Sequence, residues 1–396
     1  MRVTRTLRAT AGAALTGALL LASGGTASAD QVRKGQWPLE AFGAQQLWKD
    51  ATGKGVTVAV LDSGFRTTHQ DLTGQFLAGP DWGKATEEQH AKSLKPNEDV
   101  RDHGTAMAGI IAGHGHGPGG SEGVKGLAPD AKILPVPEFK NSGLATRWAV
   151  DHGADVINMS YTESVPGADD CASIHYALEK GVVVVAGVGN DGLPKKNYPA
   201  ACPGVIGAGS VDQYGEADDA NNANSTLDLL APGVKIPVAM GKSDSAYRTA
   251  DGSSAASAYV SAAAALLKEK FPKLTPGQIA NRLVKTAGLA QAEKDKHLKL
   301  PDAHYGYGFI QPGPALRRTI AAGPAQGPLP MPQGKAPQSG VVPGADKPEA
   351  DAPMGGKEKV MLFGGIGLGV LVVVGIVVGV VVATRRRNNN GGQAWG

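Results

Sequence analysis

Three residue types that together make an acyl-transfer apparatus occur along this 396-residue chain in settings suited to that work. Asp62 ends the apolar run Val-Ala-Val-Leu and is followed by Ser63 and Gly64. A carboxylate there can be buried and aimed past the end of a strand, although an Asp in that setting can equally close the strand as an Asx turn. His103 opens His-Gly-Thr-Ala-Met-Ala-Gly-Ile-Ile-Ala, where Gly104 and its small neighbours permit close packing. Imidazole is the side chain whose ordinary pKa suits proton exchange near neutrality. Ser254 stands at the start of a long run rich in Ala, Ser and Val. Ser253 and Ser254 both suit a helix N-cap, yet a hydroxyl at the positive end of a buried helix is also placed to attack a carbonyl. Backbone N–H groups beside it can face a developing oxyanion, and Asn190, after Val-Val-Val-Val-Ala, can add a side-chain amide.

Such residues need rigid elements behind them. Gly55–Leu61, Ala154–Met159, Gly181–Ala186 and Val205–Ala208 are nearly continuous apolar runs, as parallel strands covered on both faces require. His103–Ala112, Leu144–His152, Ser173–Lys180, Ser254–Phe271 and Thr275–Thr286 have helical patterning. Thr275-Pro276 supplies an N-cap followed by Pro at the first helical position. Alternating strands and helices predict an α/β layer structure with a mainly parallel sheet. Ligand sites of such sheets lie beyond the carboxyl ends of the strands, where Asp62 and Asn190 fall.

Taken in order, VAVLDSG, HGTAMAGIIAG, GLAPDAKILPV, ADVINMS, VVVVAGVGN, LDLLAPG and GSSAAS resemble the successive blocks of the subtilisin-like serine protease family (peptidase S8). LTPGQIANRLVKTA and YGYGFIQPGPAL are similar to its closing blocks, so the resemblance runs from about Val56 to Leu316. It implies a three-layer subtilisin-like fold and a triad of Asp62, His103 and Ser254 in the order that subtilisin itself has. It also implies an oxyanion hole from Asn190 and the Ser254 N–H, and substrate contacts from Ser160, Tyr161, Thr162, Gly187, Val188 and Gly189. No metal and no cofactor are implied; the substrates would be proteins or peptides.

The chain departs from the family pattern in places. Ala258 stands where the family has Pro, which removes a fixed φ from an early helical turn. Ser253 replaces Thr, and Ser160-Tyr161-Thr162 replaces Ser-Leu-Gly, so the pocket for the residue before the cut is expected to be narrower. Other motifs lack context. Gly119-Gly120-Ser121-Glu122-Gly123 fits the hydrolase G-x-S-x-G, but no strand precedes it and no helix follows. Gly187–Gly192 fits a dinucleotide fingerprint that Pro194 and Pro199 interrupt. His114 and His116, in a Gly-rich stretch read as a flexible loop, lack accompanying ligands in sequence.

The ends carry addresses. Residues 1–29 pair Arg2, Arg5 and Arg8 with a short apolar run and Ala27-Ser28-Ala29, the pattern of a cleaved signal peptide. Residues 360–383 are uncharged and rich in Val, Gly, Leu and Ile, long enough to cross a bilayer. Arg385, Arg386 and Arg387 follow, placing the tail 384–396 in the cytoplasm and the rest outside. Export makes a disulfide the expected state of the two cysteines, Cys171 and Cys202. Residues 30–54 form an N-terminal extension, too short for the folded propeptide of many secreted subtilases. Residues 55–322 form the peptidase domain and 323–359 a Pro/Gly/Ala-rich stalk. This architecture looks like the mycosins, membrane-anchored proteases associated with type VII secretion, which implies a secretion membrane complex as partner. With a net charge of +3 and no basic tract outside the anchor flank, nucleic acid is not expected as a partner. A competing reading makes the domain a catalytically weak scaffold for such a complex.

Overall fold

The computed structural model describes residues 31–81, 102–137, 142–167, 169–334 and 336. The segments read as signal peptide, membrane span and cytoplasmic tail lie outside these residues. Among the described residues, no helix is long and apolar enough to cross a membrane.

Six parallel strands form the central sheet: β1 Thr57–Asp62, β4 Lys132–Pro137, β5 Val156–Met159, β6 Val183–Gly187, β7 Ile206–Val211 and β8 Leu229–Pro232. Their spatial order is β4-β1-β5-β6-β7-β8. Two antiparallel pairs lie outside it: β2 His114–His116 with β3 Glu122–Lys125, and β9 Ile236–Ala239 with β10 Tyr247–Ala250. The continuous apolar runs have their reason in two separate cores. Val58 and Val60 of β1 point into one core, while Ala59 and Leu61 point into the other. The first core is filled by α3 His103–Ala112, α6 Ser253–Lys270 and α7 Pro276–Thr286; the second by α4 Ser142–Asp151 and α5 Asp170–Glu179. The expected three-layer α/β architecture is therefore present. α7 carries a capping box, with Thr275 and Gln278 each satisfying the other's backbone N–H.

Several segments differ from their sequence reading. Lys-Ile-Leu-Pro-Val-Pro carries no clear strand signal, because Pro cannot complete a ladder; it nevertheless forms β4, at the sheet's edge, where a missing donor is tolerated. His114 and His116 lie in a hairpin rather than a flexible loop. The Nδ1 of His116 is 2.6 Å from an oxygen of the buried Asp71, which sequence spacing could not bring to it. Ser121 sits in the link between β2 and β3, without the strand–turn–helix of a nucleophile elbow. The first part of the expected stalk is not free chain. Leu329 is buried, the carbonyls of Gly323 and Ala325 accept from Gln278 and Thr275, and the N–H of Ala336 reaches Glu179. Leu329 and Met331 add apolar anchors to these hydrogen bonds, each packing into one of the two cores.

Residues 31–54 pack along the domain's flank through α1 Trp37–Ala41 and α2 Ala44–Leu47. The Arg33 guanidinium donates to the carbonyls of Gly120, Glu122 and Gly123 at 2.9, 3.0 and 3.0 Å. The indoles of Trp37 and Trp48 donate to the carbonyls of Val234 and Leu127. One oxygen of Glu269, in the last turn of α6, receives the N–H groups of Thr52, Gly53 and Lys54. The extension is thereby stitched to the β2–β3 hairpin and to the far end of α6.

Cys171 and Cys202 are joined as a disulfide, with Cα atoms 5.2 Å apart, tying α5 to the segment before β7. Replacing both by Ser is expected to lower the unfolding free energy in urea melts by about 3–4 kcal/mol, the chain-entropy value for a loop of this length. An unchanged transition midpoint would contradict that assignment.

Candidate active site

The sheet brings the candidate residues together through two neighbouring strands. β1 and β5 are in register with Leu61 beside Met159, so Asp62 and Ser160 follow side by side at their carboxyl ends. Each carries one arm of the site. On the β1 side, the Nδ1–H of His103 faces both oxygens of Asp62, at 2.8 and 2.9 Å. The Asp62 side chain is only 3% exposed, and the backbone N–H of Ser63 donates to it at 2.7 Å. An ionised carboxylate this deep needs such partners. His103 is the first residue of α3, and Gly104 lets that helix come in close: a Cβ there would lie 2.6 Å from the carbonyl oxygen of Gly64.

On the β5 side, Ser254 occupies the first turn of α6, whose leading N–H groups have no partner within the helix. Its hydroxyl donates to the carbonyl of Ser160 at 3.1 Å rather than to His103. The Asp–His arm is thus formed at rest and the His–Ser arm is not. Catalytic hydrogen bonds of unliganded enzymes are commonly long or differently aimed and tighten once substrate binds.

Asn190 is exposed at the end of β6's loop, and its Oδ1 accepts from the Ser253 N–H at 2.8 Å. That contact fixes the amide beside the start of α6. Gly252 makes the approach possible: it has φ +129°, and a Cβ would sit 2.9 Å from the Asn190 Nδ2. Thr162 is exposed on the segment leaving Ser160, and Glu163 then pairs with Tyr198 through both backbone groups. Gly187, Val188 and Gly189, expected to contact substrate, are buried. The hydroxyl of Ser253 accepts from the Gly189 N–H at 3.1 Å and lies where a Cβ on Gly187 would go. Ser160 is also buried but presents its carbonyl to Ser254. A cavity of about 340 Å³ lined by Trp37, Phe42, Tyr214 and Phe309 lies elsewhere and includes none of these residues.

The electrostatics favour a proton acceptor. The partial burial of His103, whose side chain is 26% exposed, works against the charged imidazolium; the charge of Asp62 and its hydrogen bond more than offset this, leaving the pKa above the ordinary histidine value. The sign follows. The Asp62–His103 ion pair contributes its full stability below the ordinary value and loses it as pH rises through the raised one, above which the neutral ring can accept a proton. A histidine NMR titration is expected to place the His103 midpoint above about 6.5, and Asp62→Asn to lower it. A wild-type midpoint at or below that figure would contradict the electrostatic role of Asp62.

The subtilase (peptidase S8) family model matches residues 53–308, a span that contains every residue of this site. Fervidolysin of Fervidobacterium pennivorans is 34% identical over 334 residues, covering 74% of this chain; the chain spans less than half of fervidolysin, 44%. Subtilisin Savinase of Lederbergia lenta is 34% identical over 248 residues, 60% of this chain and 84% of that protein. Among solved structures, a protease from Pseudoalteromonas arctica aligns with a TM-score of 0.61 at 25% identity, covering 72% of this chain and 96% of that one. MycP1 from Mycobacterium smegmatis aligns with a TM-score of 0.58 at 26% identity, covering 76% and 89%. With the parallel sheet, the Asp–His pair and the serine at the head of the buried helix already in place, these matches establish that the chain belongs to the subtilase family.

Proposed function

We propose that this protein is a serine endopeptidase that cuts protein or peptide substrates through an acyl-enzyme. The observation that carries the reading is the contact of His103 Nδ1 with both oxygens of Asp62, beside a serine at the head of a buried helix. Ser254 Oγ attacks the scissile carbonyl while His103 Nε2 takes its proton. The tetrahedral oxyanion is received by the Ser254 N–H and the Asn190 amide. His103 then returns the proton to the leaving amine, and water repeats the cycle on the ester. Asp62 holds the ring in the tautomer that donates to it and offsets the imidazolium charge. Exposed Thr162 fits a preference for small residues before the cut. With a fluorogenic peptide substrate, Ser254→Ala is expected to abolish turnover. Asn190→Ala is expected to lower kcat by roughly 10²–10³, the value known for such a donor in subtilisin itself. Wild-type activity that survives Ser254→Ala would overturn the reading and bring forward the scaffold alternative.

The proposal extends to location. The signal-like residues 1–29, the apolar run 360–383 and the arginines after it support a domain held outside the membrane by one C-terminal span. The alignment with MycP1 supports a mycosin-like role beside a type VII secretion complex. In intact cells or spheroplasts, externally added protease is expected to degrade the domain and spare an epitope tag at the C-terminus, and carbonate washing is expected to leave the protein in the membrane fraction. Release by carbonate, or loss of the tag with the domain, would contradict this topology.

A further inference from the structure

Beneath Ser254 lies a run of buried polar side chains that the reaction steps above do not use. Asn158 in β5 and Ser257 and Ser261 in α6 are fully buried. Their hydrogens can be assigned one at a time, since each hydroxyl has a single one to give. Ser261 Oγ donates to the Asn158 Oδ1 at 3.1 Å, and Asn158 Nδ2 donates to the Ser160 Oγ at 2.9 Å. Ser257 Oγ donates to the Ser254 carbonyl at 2.8 Å. With that hydrogen committed, Ser160 Oγ gives its own to Ser257 Oγ at 2.9 Å or to the same carbonyl at 3.1 Å. The chain therefore runs one way, from the interior to the backbone of the serine. Bonds linked in this fashion polarise one another.

Packing alone does not call for this arrangement. Ala255, Ala256, Ala258 and Ala262, on the same stretch of helix, fill their surroundings without polar atoms. The chain holds the peptide group that follows Ser254 and so constrains the backbone at the carbon that bears the nucleophile's side chain. Ser160 meets the serine at two points: its hydroxyl lies 3.1 Å from the Ser254 carbonyl, and its own carbonyl accepts from the Ser254 hydroxyl. We propose that Asn158 and Ser261 are positioning residues for Ser254: they act through Ser160 and Ser257 to set the nucleophile's backbone, and touch no substrate. This rests on the peptidase reading above.

The test compares wild type, Ser261→Ala, Asn158→Ala and the double variant, measuring kcat and KM on a peptide substrate, the pH midpoint of kcat/KM, and melting temperature. Each single variant is expected to lose about tenfold in kcat, the rate equivalent of one net hydrogen bond. KM is expected to stay within about twofold, because uniform substrate binding is untouched. The pH midpoint, set by Asp62 and His103, should not move. The double variant should be no slower than Asn158→Ala, since Ser261 acts only through Asn158. Ser261→Thr, which keeps a hydroxyl, should recover most of the rate. Variants that melt lower yet keep the wild-type kcat, or whose losses multiply in the double variant, would overturn the proposal and leave the peptidase reading standing. A folded wild type with no turnover would overturn both.

Discussion

The contact between α6 and the parallel sheet is the interaction on which the rest of the site depends. Fourteen of the eighteen residues of this helix are buried, and alanine is the commonest among them. Small side chains bring the helix axis close to the strands, so that its first turn arrives at the strands' carboxyl ends instead of passing above them. There the leading N–H groups, which lack the usual intrahelical acceptors, and the positive end of the helix dipole meet the polar residues that leave the sheet. Gly252 lets the chain turn into the helix against Asn190, and Ala258, where the family has Pro, is fully buried in its second turn.

A second constraint is electrostatic. The close packing that places Asp62 beside His103 takes the carboxylate almost wholly out of water while leaving the imidazole partly exposed, and an isolated buried carboxylate would be heavily destabilised. Asp62 is tolerated because the imidazole and the Ser63 N–H satisfy it. The same pairing favours the protonated ring and fixes its orientation. The polar chain under Ser254 meets this constraint in another way, with every hydroxyl given an acceptor inside an apolar core. The Asp–His pair and the serine's support are buried polar groups of different kinds, and both converge on the same strand ends.

Much of this is legible in the sequence, for a physical reason. Strands covered on both faces are nearly continuously apolar, so β1, β5 and β6 stand out as runs interrupted only at Asn158 of β5, and the residues that come after them are marked as site positions. The buried helix shows itself by its alanines. What the sequence conceals depends on sheet position or long-range contact. Two prolines hide β4, because edge position cannot be read locally. Asp71 reaches His116 only through the fold. The Pro-rich segment after Gly323 lacks a hydrophobic pattern, yet two apolar side chains anchor it. That the hydroxyl of Ser253 packs against Gly187 and Gly189 is equally invisible in the sequence. The resting direction of the Ser254 hydroxyl is likewise a matter of one rotamer.

The central claim is that Ser254 is a nucleophile activated by a histidine that Asp62 holds in place. It is tested most directly by treating the purified protein with a fluorophosphonate and locating the adduct by peptide mass spectrometry. The account predicts a single adduct on Ser254, slowed as pH falls through the His103 midpoint and absent from folded His103→Ala. A folded wild type that takes up no probe, or that carries it on another serine such as Ser121, would contradict it.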